Sequence, residues 1–343
     1  MIFTHDGIMN ITQQRPASGS SAASQPTPAI MVNDLVKRYG DNLALDYLSM
    51  QVRRGEIYGL LGPNGSGKST AINCILGLLA YESGTIRIFG EPMTPTSYAL
   101  KRRIGMVPQD VAVFNELTVE ENIDYFCSLY VPHKARRRQL VEEAVQFVGL
   151  NDYRAYRPRK LSGSMLRRLN IACGVVHQPD LIFFDEPTVA VDPQSRNAIL
   201  EGIRQLNKRG STVVYTTHYM EEVERICDRV QIIDHGHQIA FGTDEELKRM
   251  VDVGERINVE TPSLSTDVQA RAVAIEALKQ LPNVQDVAFK DDTLAVTCVQ
   301  GDHNLIDVLQ TLREHNIPVD HISSHSPTLN DVFLALTGTT LRD

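Results

Sequence analysis

The sequence predicts an α/β core over residues 29–252 and a smaller α+β unit over residues 253–343, behind a lead over residues 1–28. Three observations carry that expectation. Residues 57–61 and 181–184 are continuous apolar runs, the pattern of strands buried on both faces of a parallel sheet. The first run is followed at once by Gly-Pro-Asn-Gly-Ser-Gly-Lys-Ser-Thr, residues 62–70, and then by a helical pattern. Beyond residue 255 the periodicity reads strand-helix-strand-strand-helix-strand, the order of a ferredoxin-like split unit.

Taken in order, the lead is rich in Ser, Pro, Ala and Gln. It holds too little apolar surface to offset the entropy of ordering, so disorder is expected there. Strands are expected at 30–37, 44–52, 56–61, 84–89 and 103–107, then at 181–184, 211–216, 229–234 and 237–241. Helices are expected at 68–79, 97–102, 119–129, 134–148 and 164–177, then at 193–208, 219–226 and 244–250. Strands and helices mixed in this way suit one α/β core. In the second unit a strand at 256–260 precedes a helix with apolar positions 268, 272, 275, 278 and 281. Strands at 284–289 and 293–299, a helix at 303–315 and a strand at 318–324 follow. A last helix, 329–336, carries Leu329, Val332, Phe333 and Leu336 at helical spacing. Its plain reading is packing against its own unit, and a contact between two copies is the alternative.

The glycine-bearing segment fixes the ligand class. A strand, then G-x-x-x-x-G-K-[ST], then a helix is the arrangement of a phosphate-binding loop. Backbone N–H groups around Gly62, Gly65 and Gly67 can point into one concavity and hold phosphate oxygens, aided by the positive end of the following helix. A Cβ would block that approach and bar positive φ. Pro63, Asn64 and Ser66 complete the loop. Lys68 neutralises charge on the outer phosphates, Ser69 offers a hydroxyl to Mg²⁺, and Thr70 adds a contact nearer the α-phosphate. The expected ligands are a nucleoside triphosphate and Mg²⁺.

Bulk composition narrows the rest. The 343 residues are 42% hydrophobic and 22% charged, enough for two domains with ample core. There is no apolar run of about 18 residues, so no membrane span is expected. The N-terminus lacks the basic-then-apolar pattern of a secretion signal. Cys74, Cys127, Cys173, Cys227 and Cys298 are scattered, odd in number and free of C-x-x-C spacing, which reads as reduced thiols. The histidines show no ligand spacing, and His235 and His237 read as a solvated loop. A net charge of −8 argues against nucleic acid as the principal partner. The charge is uneven: residues 132–168 carry ten Lys/Arg against three Asp/Glu, and residues 255–343 six against thirteen. Two solvated faces explain this, as does a basic surface close to an anionic membrane or an acidic partner.

Residues 181–187 form an apolar strand ending in Asp185 and Glu186. A strand delivers such residues at its carboxyl end, where open α/β sheets bind ligands. There Asp185 can order Mg²⁺ or its waters, and Glu186 can polarise an attacking water. With the Lys68 loop in place, residues 30–250 resemble the nucleotide-binding subunit of an ATP-binding-cassette (ABC) transporter, a phosphate-loop NTPase with a helical subdomain.

Seven motifs stand in that family's order. The resemblance implies that Tyr39 stacks on adenine and that residues 62–70 hold phosphate. It implies that Gln109 touches Mg²⁺ or the attacking water and senses the membrane subunit. Residues 161–165, Leu-Ser-Gly-Ser-Met, occupy the signature position and present Ser162, Gly163 and Ser164 to the γ-phosphate held by an opposite copy. Asp185 and Glu186 follow, then Asp192 in a dimer-contacting loop, then His218 as the switch histidine. On its own, Asp192 before Pro193 also reads as a helix N-cap. The family usually has Gly where Ser164 stands, and a Cβ there could crowd the phosphate, although serine is a favoured N-cap.

The tail from Ser326 to Gly338, Ser-Pro-Thr-Leu-Asn-Asp-Val-Phe-Leu-Ala-Leu-Thr-Gly, resembles the ending of drug-exporter ATPases of the daunorubicin-resistance type. That implies a homodimer serving a separate multi-span ABC-2-type permease, at the cytoplasmic face of the membrane, with a multidrug, antibiotic or lipid-like substrate. The C-terminal unit is then expected to aid dimerisation or regulation. A nucleotide-gated sensing module without transport, an importer ATPase, and a cassette ATPase acting on DNA or ribosomes are the rival readings. The last lacks a coiled-coil insertion or a second cassette to support it.

Overall fold

The computed structural model describes residues 27–251, 254–299 and 304–338. Residues 1–26 of the expected lead, the expected boundary at 252–253 and the first residue of the expected helix at 303–315 lie outside the described residues. In chain order the first elements are β1 (Ile30–Tyr39), β2 (Asn42–Val52), β3 (Ile57–Leu61), α1 (Lys68–Ile75), β4 (Ser83–Ile88) and β5 (Glu91–Pro92). Then come α2 (Tyr98–Lys101), β6 (Ile104–Val107), α3 (Val119–Ser128), α4 (Lys134–Phe147), α5 (Gly163–Val175) and β7 (Leu181–Asp185). They are followed by α6 (Pro193–Lys208), β8 (Thr212–Thr217), α7 (Met220–Ile226), β9 (Arg229–Asp234), β10 (His237–Gly242) and α8 (Asp244–Met250). The remainder is β11 (Glu255–Glu260), α9 (Ser263–Thr266), α10 (Val268–Lys279), β12 (Val284–Lys290), β13 (Thr293–Cys298), α11 (Asn304–Glu314), β14 (His321–His325) and α12 (Leu329–Thr337).

Three sheets organise these elements: β2-β1-β4-β5, β10-β9-β3-β8-β7-β6 and β12-β13-β11-β14. In the second, β3 lies parallel to both β8 and β9, and β7 parallel to β8 and β6. Every residue of β3, β7 and β8 is buried, which is why their sequences are apolar or small rather than alternating. The register sets Leu61 beside Thr217 and Asp185 beside Thr216. Three neighbouring parallel strands therefore end side by side, and the residues that follow them, Gly62, Glu186 and His218, meet at one carboxyl edge.

One core lies under this sheet against α3, α4, α5 and α6, including Val145, Leu169, Phe184 and Tyr215. A second joins the sheet to the antiparallel β1–β2–β4 layer, including Leu45, Leu60, Ile72 and Phe183. The C-terminal sheet packs α10 and α11 on one face around Ile257, Val296, Leu278 and Leu312. Its β-α-β-β-α-β order carries one extra element, the short α9. All five cysteines are free thiols.

Several boundaries differ from expectation for local reasons. Helix α1 stops at Ile75 because Gly77, at φ +62°, turns the chain away. Helix α5 starts one residue early, at Gly163, with Ser162 rather than Ser164 as its N-cap. Of the expected apolar positions, Ile275 and Leu278 on α10 and Leu281 just beyond it turn inward, joined by Ala270 and Ala274, whereas Val268 and Ala272 are exposed. The face differs at its start because this helix is apolar on more than one side.

The larger correction concerns α12. It does not pack on the C-terminal sheet. Leu329, Val332 and Phe333 enter a cluster with Leu61, Met220, Val223, Val230, Ile232 and Leu247, which belong to the nucleotide unit. Leu336 stays largely exposed. The helix is started by a capping box, with the Thr328 hydroxyl accepting from Asp331 N–H and the Asp331 carboxylate from Thr328 N–H. The Leu329 N–H donates to Glu224 Oε1 at 2.7 Å, and Lys248 Nζ lies 3.1 Å from the same oxygen. Phe333→Ala should cost about 3–5 kcal/mol by emptying that cluster. Thermal unfolding should report the loss in the nucleotide unit itself, as a lowered Tm for ATP-protectable structure.

His177 makes a second test of packing. Its ring stacks on Tyr130 at 3.8 Å between centroids, and Nε2 bonds the Ile104 carbonyl. Burial pushes its pKa from the ordinary 6.5 down to about 4. Between those two values the unfolded chain takes up a proton that the folded chain refuses. Stability therefore falls as pH drops below 6.5 and the loss is complete below 4, on the order of 3 kcal/mol. His177→Gln should flatten that segment of a stability-versus-pH curve.

Candidate functional site

The loop after β3 is shaped by contacts that only glycine permits. A Cβ on Gly62 would lie 2.2 Å from the Ile233 carbonyl oxygen, and one on Gly67, at φ +106°, 2.7 Å from that of Ala44. Gly67 is also the N-cap of α1 and offers no side chain, so the first amides of the helix stay free to face a ligand. Lys68 opens that helix and is buried. Its Nζ donates to the carbonyls of Gly62 at 2.8 Å and Pro63 at 3.1 Å, and sits 3.3 Å from Glu186 Oε1. Burial lowers the lysine pKa, and the Glu186 and Asp185 charges oppose that shift.

From β7, Asp185 is buried and accepts the Thr216 hydroxyl at 2.6 Å. The same hydroxyl accepts from the Glu186 N–H at 3.1 Å. Glu186 has φ +46°, a left-handed conformation uncommon for a residue with a side chain. The turn carries its carboxylate between two basic groups. Lys68 Nζ lies 3.3 Å from Oε1, and His218 Nδ1, at the end of β8, lies 3.3 Å from Oε2. The imidazole contact is close without hydrogen-bond geometry, and Nδ1 has no hydrogen-bond partner.

These groups border a cleft of about 300 Å³ lined by Tyr39, Asn64, Gly65, Gly67, Lys68, Ser69, Thr70, Gln109 and Glu186. Gly62, Pro63, Ser66, Asp185 and His218 are not among its lining residues but adjoin these in the chain or contact them directly. Tyr39 is half-exposed, with Lys37 Nζ 5.2 Å from its ring centroid. Four further lining residues were not foreseen: Asn42, Leu43 and Ala44 from the start of β2, and His235. His235 is exposed as expected of a loop, yet the loop is docked. Gly236 N–H donates to the Ser66 carbonyl at 3.0 Å, and the Gly236 carbonyl accepts from Asp46 N–H at 3.1 Å. No residue pattern announces this contact, which arises from sheet packing.

Ser162, Gly163, Ser164 and Asp192 do not line the cleft of their own chain. Ser162 caps α5, accepting from Met165 N–H at 3.2 Å, and its hydroxyl lies 3.2 Å from that of Ser164. A Cβ on Gly163 would meet nothing within 4 Å, so this helix start is open. Asp192 caps α6 through the Ser195 N–H at 2.9 Å, which holds its carboxyl below the usual range. Helix α5 also grips the Gln109 segment. Arg167 Nη1 donates to the Gln109 carbonyl, Asn170 Nδ2 to that of Pro108 at 3.1 Å, and Asn170 Oδ1 accepts from Ala112 N–H at 3.0 Å. Neither Arg167 nor Asn170 stood out in the sequence.

Among the described residues no cluster of three or more His, Cys, Asp or Glu could hold a metal by itself. The buried Ser66 hydroxyl without a hydrogen-bond partner fits an anion in the loop.

Such a loop, with a carboxylate poised beside its lysine, defines a phosphate-loop nucleotide hydrolase. A family model described as "ABC transporter" matches residues 45–189, and one described as "ATP-binding protein DrrA1-3-like, C-terminal domain" matches residues 242–337. The Linearmycin resistance ATP-binding protein LnrL of Bacillus subtilis (strain 168) is 37% identical over 316 residues, 92% of this chain and 100% of that one. The Daunorubicin/doxorubicin resistance ATP-binding protein DrrA of Streptomyces peucetius is 38% identical over 315 residues, 92% and 94% of the two chains. A solved ATP-binding subunit of an ABC transporter superposes with a TM-score of 0.60 at 28% identity, covering 65% of this chain and 92% of that one. The chain belongs to the ABC transporter family, as an ATP-binding, ATP-hydrolysing subunit of the daunorubicin-resistance exporter type.

Since the helix cap is Ser162 and not Ser164, the second serine is dispensable for the helix start. Ser164→Gly should leave ATP turnover equal or higher, measured as phosphate release. A collapse in rate would make the serine a requirement.

Proposed function

We propose that two copies of the chain close head-to-tail on two ATP molecules, and that this closure drives a separate multi-span ABC-2-type permease. The reading rests on one observation: Lys68 and Glu186 line one cleft with His218 against the Glu186 carboxylate, while Ser162, Ser164 and Asp192 neither line it nor contact these three. The two sets complete each other only if the second set serves the cleft of another copy. Tyr39 then stacks on adenine, and the amides of residues 62–70 hold the phosphates. Ser69, Gln109 and Asp185 would hold Mg²⁺, which neutralises charge on the outer phosphates.

Hydrolysis needs chiefly positioning and charge stabilisation. Lys68 already faces Glu186, and an incoming γ-phosphate draws the ammonium toward itself and frees the carboxylate. Glu186 can then orient and polarise the attacking water, with His218 beside it steadying the developing charge. Ser162 and the open start of α5 bring amides to the same phosphate from the opposite copy.

The permease would dock near Gln109 and residues 110–130. A groove of about 230 Å³ there is lined by Leu76, Leu78, Met106, Pro108, Phe126 and Tyr130, apolar enough to receive a helix from a membrane subunit. Arg167 and Asn170 tie that groove to the signature helix, so a push at the groove reaches Ser162. The chain would sit at the cytoplasmic face of the membrane, where the basic segment 132–168 suits an anionic surface. The relatives named for linearmycin and daunorubicin resistance point to an exported antibiotic or lipid-like compound. The C-terminal unit would assist dimerisation or regulation.

Glu186→Gln is the test. The variant should bind Mg·ATP within about threefold of the parent and lose about 10²–10³ in kcat. It should also accumulate as a dimer in ATP on size exclusion with light scattering. Near-parental turnover would remove Glu186 from this role, and a monomer in saturating ATP would remove the sandwich.

A further inference from the structure

A buried carboxylate outside the cleft is bonded to the segment that carries His218. Glu222, in the first turn of α7, is 2% exposed. Its Oε2 accepts from the Tyr215 hydroxyl at 2.6 Å and from the Thr217 hydroxyl at 2.9 Å. Burial keeps the Tyr215 phenol protonated, so it remains a donor. Thr217 Oγ1 in turn accepts from the Tyr219 N–H at 2.9 Å. The residues on both sides of His218 are therefore tied to one oxygen atom, directly through Thr217 and at one remove through Tyr219.

A second route reaches the same imidazole. Arg196 Nε, on α6, lies 3.5 Å from Glu222 Oε1, and its guanidinium stands 4.6 Å from the Tyr219 ring centroid. The Tyr219 ring is 4.1 Å from that of His218, tilted by 42°. On the other side, Tyr215 OH is 3.5 Å from Thr188 Oγ1, two residues after Glu186. One carboxylate is thus linked to the switch segment through Thr217, to the segment after Glu186 through Tyr215, and to the helix that Asp192 caps through Arg196.

We propose that Glu222 is the positioning residue for His218, fixing through Thr217 and the Arg196–Tyr219 pair the orientation in which the imidazole faces Glu186. This rests on the reading of His218 and Glu186 given above. A carboxylate that served packing alone could be replaced by any group satisfying two hydroxyl donors. Glu222 differs because a charged acceptor binds both hydroxyls more strongly than an amide does and also holds the Arg196 cation close. Weakening it lets the 217–219 turn relax, and the imidazole with it, at no cost to the phosphate loop. Turnover would fall while nucleotide affinity would not.

The experiment is a double-mutant cycle on the purified full-length chain, with Mg·ATP as substrate and phosphate release as readout. Glu222→Gln should lower kcat about tenfold with KM unchanged within about twofold. In a His218→Ala background the same change should cause no further loss, because the group it positions is gone. Thr217→Val, which removes the connecting hydroxyl and keeps the shape, should reproduce the kcat loss and keeps the inference testable if Glu222→Gln fails to fold. Parental kcat in both variants, or losses that multiply fully with that of His218→Ala, would overturn it. A large loss in His218→Ala with none in Glu222→Gln or Thr217→Val would overturn this inference alone. Parental turnover in His218→Ala would overturn the reading of the site beneath it.

Discussion

Glu186 holds two basic side chains about one carboxylate, and the architecture around it exists to bring those three groups together. None of the three is near another in the sequence. Lys68 follows β3, Glu186 follows β7 and His218 follows β8, and these strands become neighbours through parallel crossovers. A parallel sheet buried on both faces gives their ends little freedom, because each strand is fixed by pairing on two sides. The left-handed turn at Glu186 stores a small amount of backbone strain, of order 1–3 kcal/mol, which the surrounding packing must over-determine. The Thr216 hydroxyl contributes by bonding both Asp185 and the Glu186 amide.

Helix α5 is the other organising element. It begins at Ser162, is buried through Leu169 and Cys173, and holds the Gln109 segment through Arg167 and Asn170. The groove and the open helix start, which the proposed function assigns to a membrane partner and a second copy's nucleotide, are thus joined by one helix. Rigid elements with close-packed contacts transmit small shifts better than loops do. Coupling between nucleotide and transport needs such a connection.

Much of this was legible in the residues because local chemistry dictates it. The loop at 62–70 requires glycine where backbone approaches backbone, and the apolar runs at β3 and β7 require burial on both faces. Asp192 as an N-cap and the order of the C-terminal strands followed the same logic. What escaped is what depends on distant pairing. His235 and Gly236 meet the phosphate loop only because β9 lies beside β3. Arg167 and Asn170 look like surface residues of an amphipathic helix until the Gln109 segment passes over them. At the start of α10 Val268 and Ala272 face outward and Ala270 and Ala274 inward, because Ala and Val surround that helix and periodicity alone does not choose a side there.

The docking of α12 has a consequence for how this chain can be divided. The ferredoxin-like sheet closes its own core, whereas one cluster of the strand-and-helix body before it is completed by α12. Leu61, the residue that leads into the phosphate loop, shares a cluster with Leu329, Val332 and Phe333 from the far end of the polypeptide. Translation must therefore reach α12 before the ATP-handling unit acquires that wall. A graft that replaced α12 would have to bring the matching surface of α7 and α8 with it.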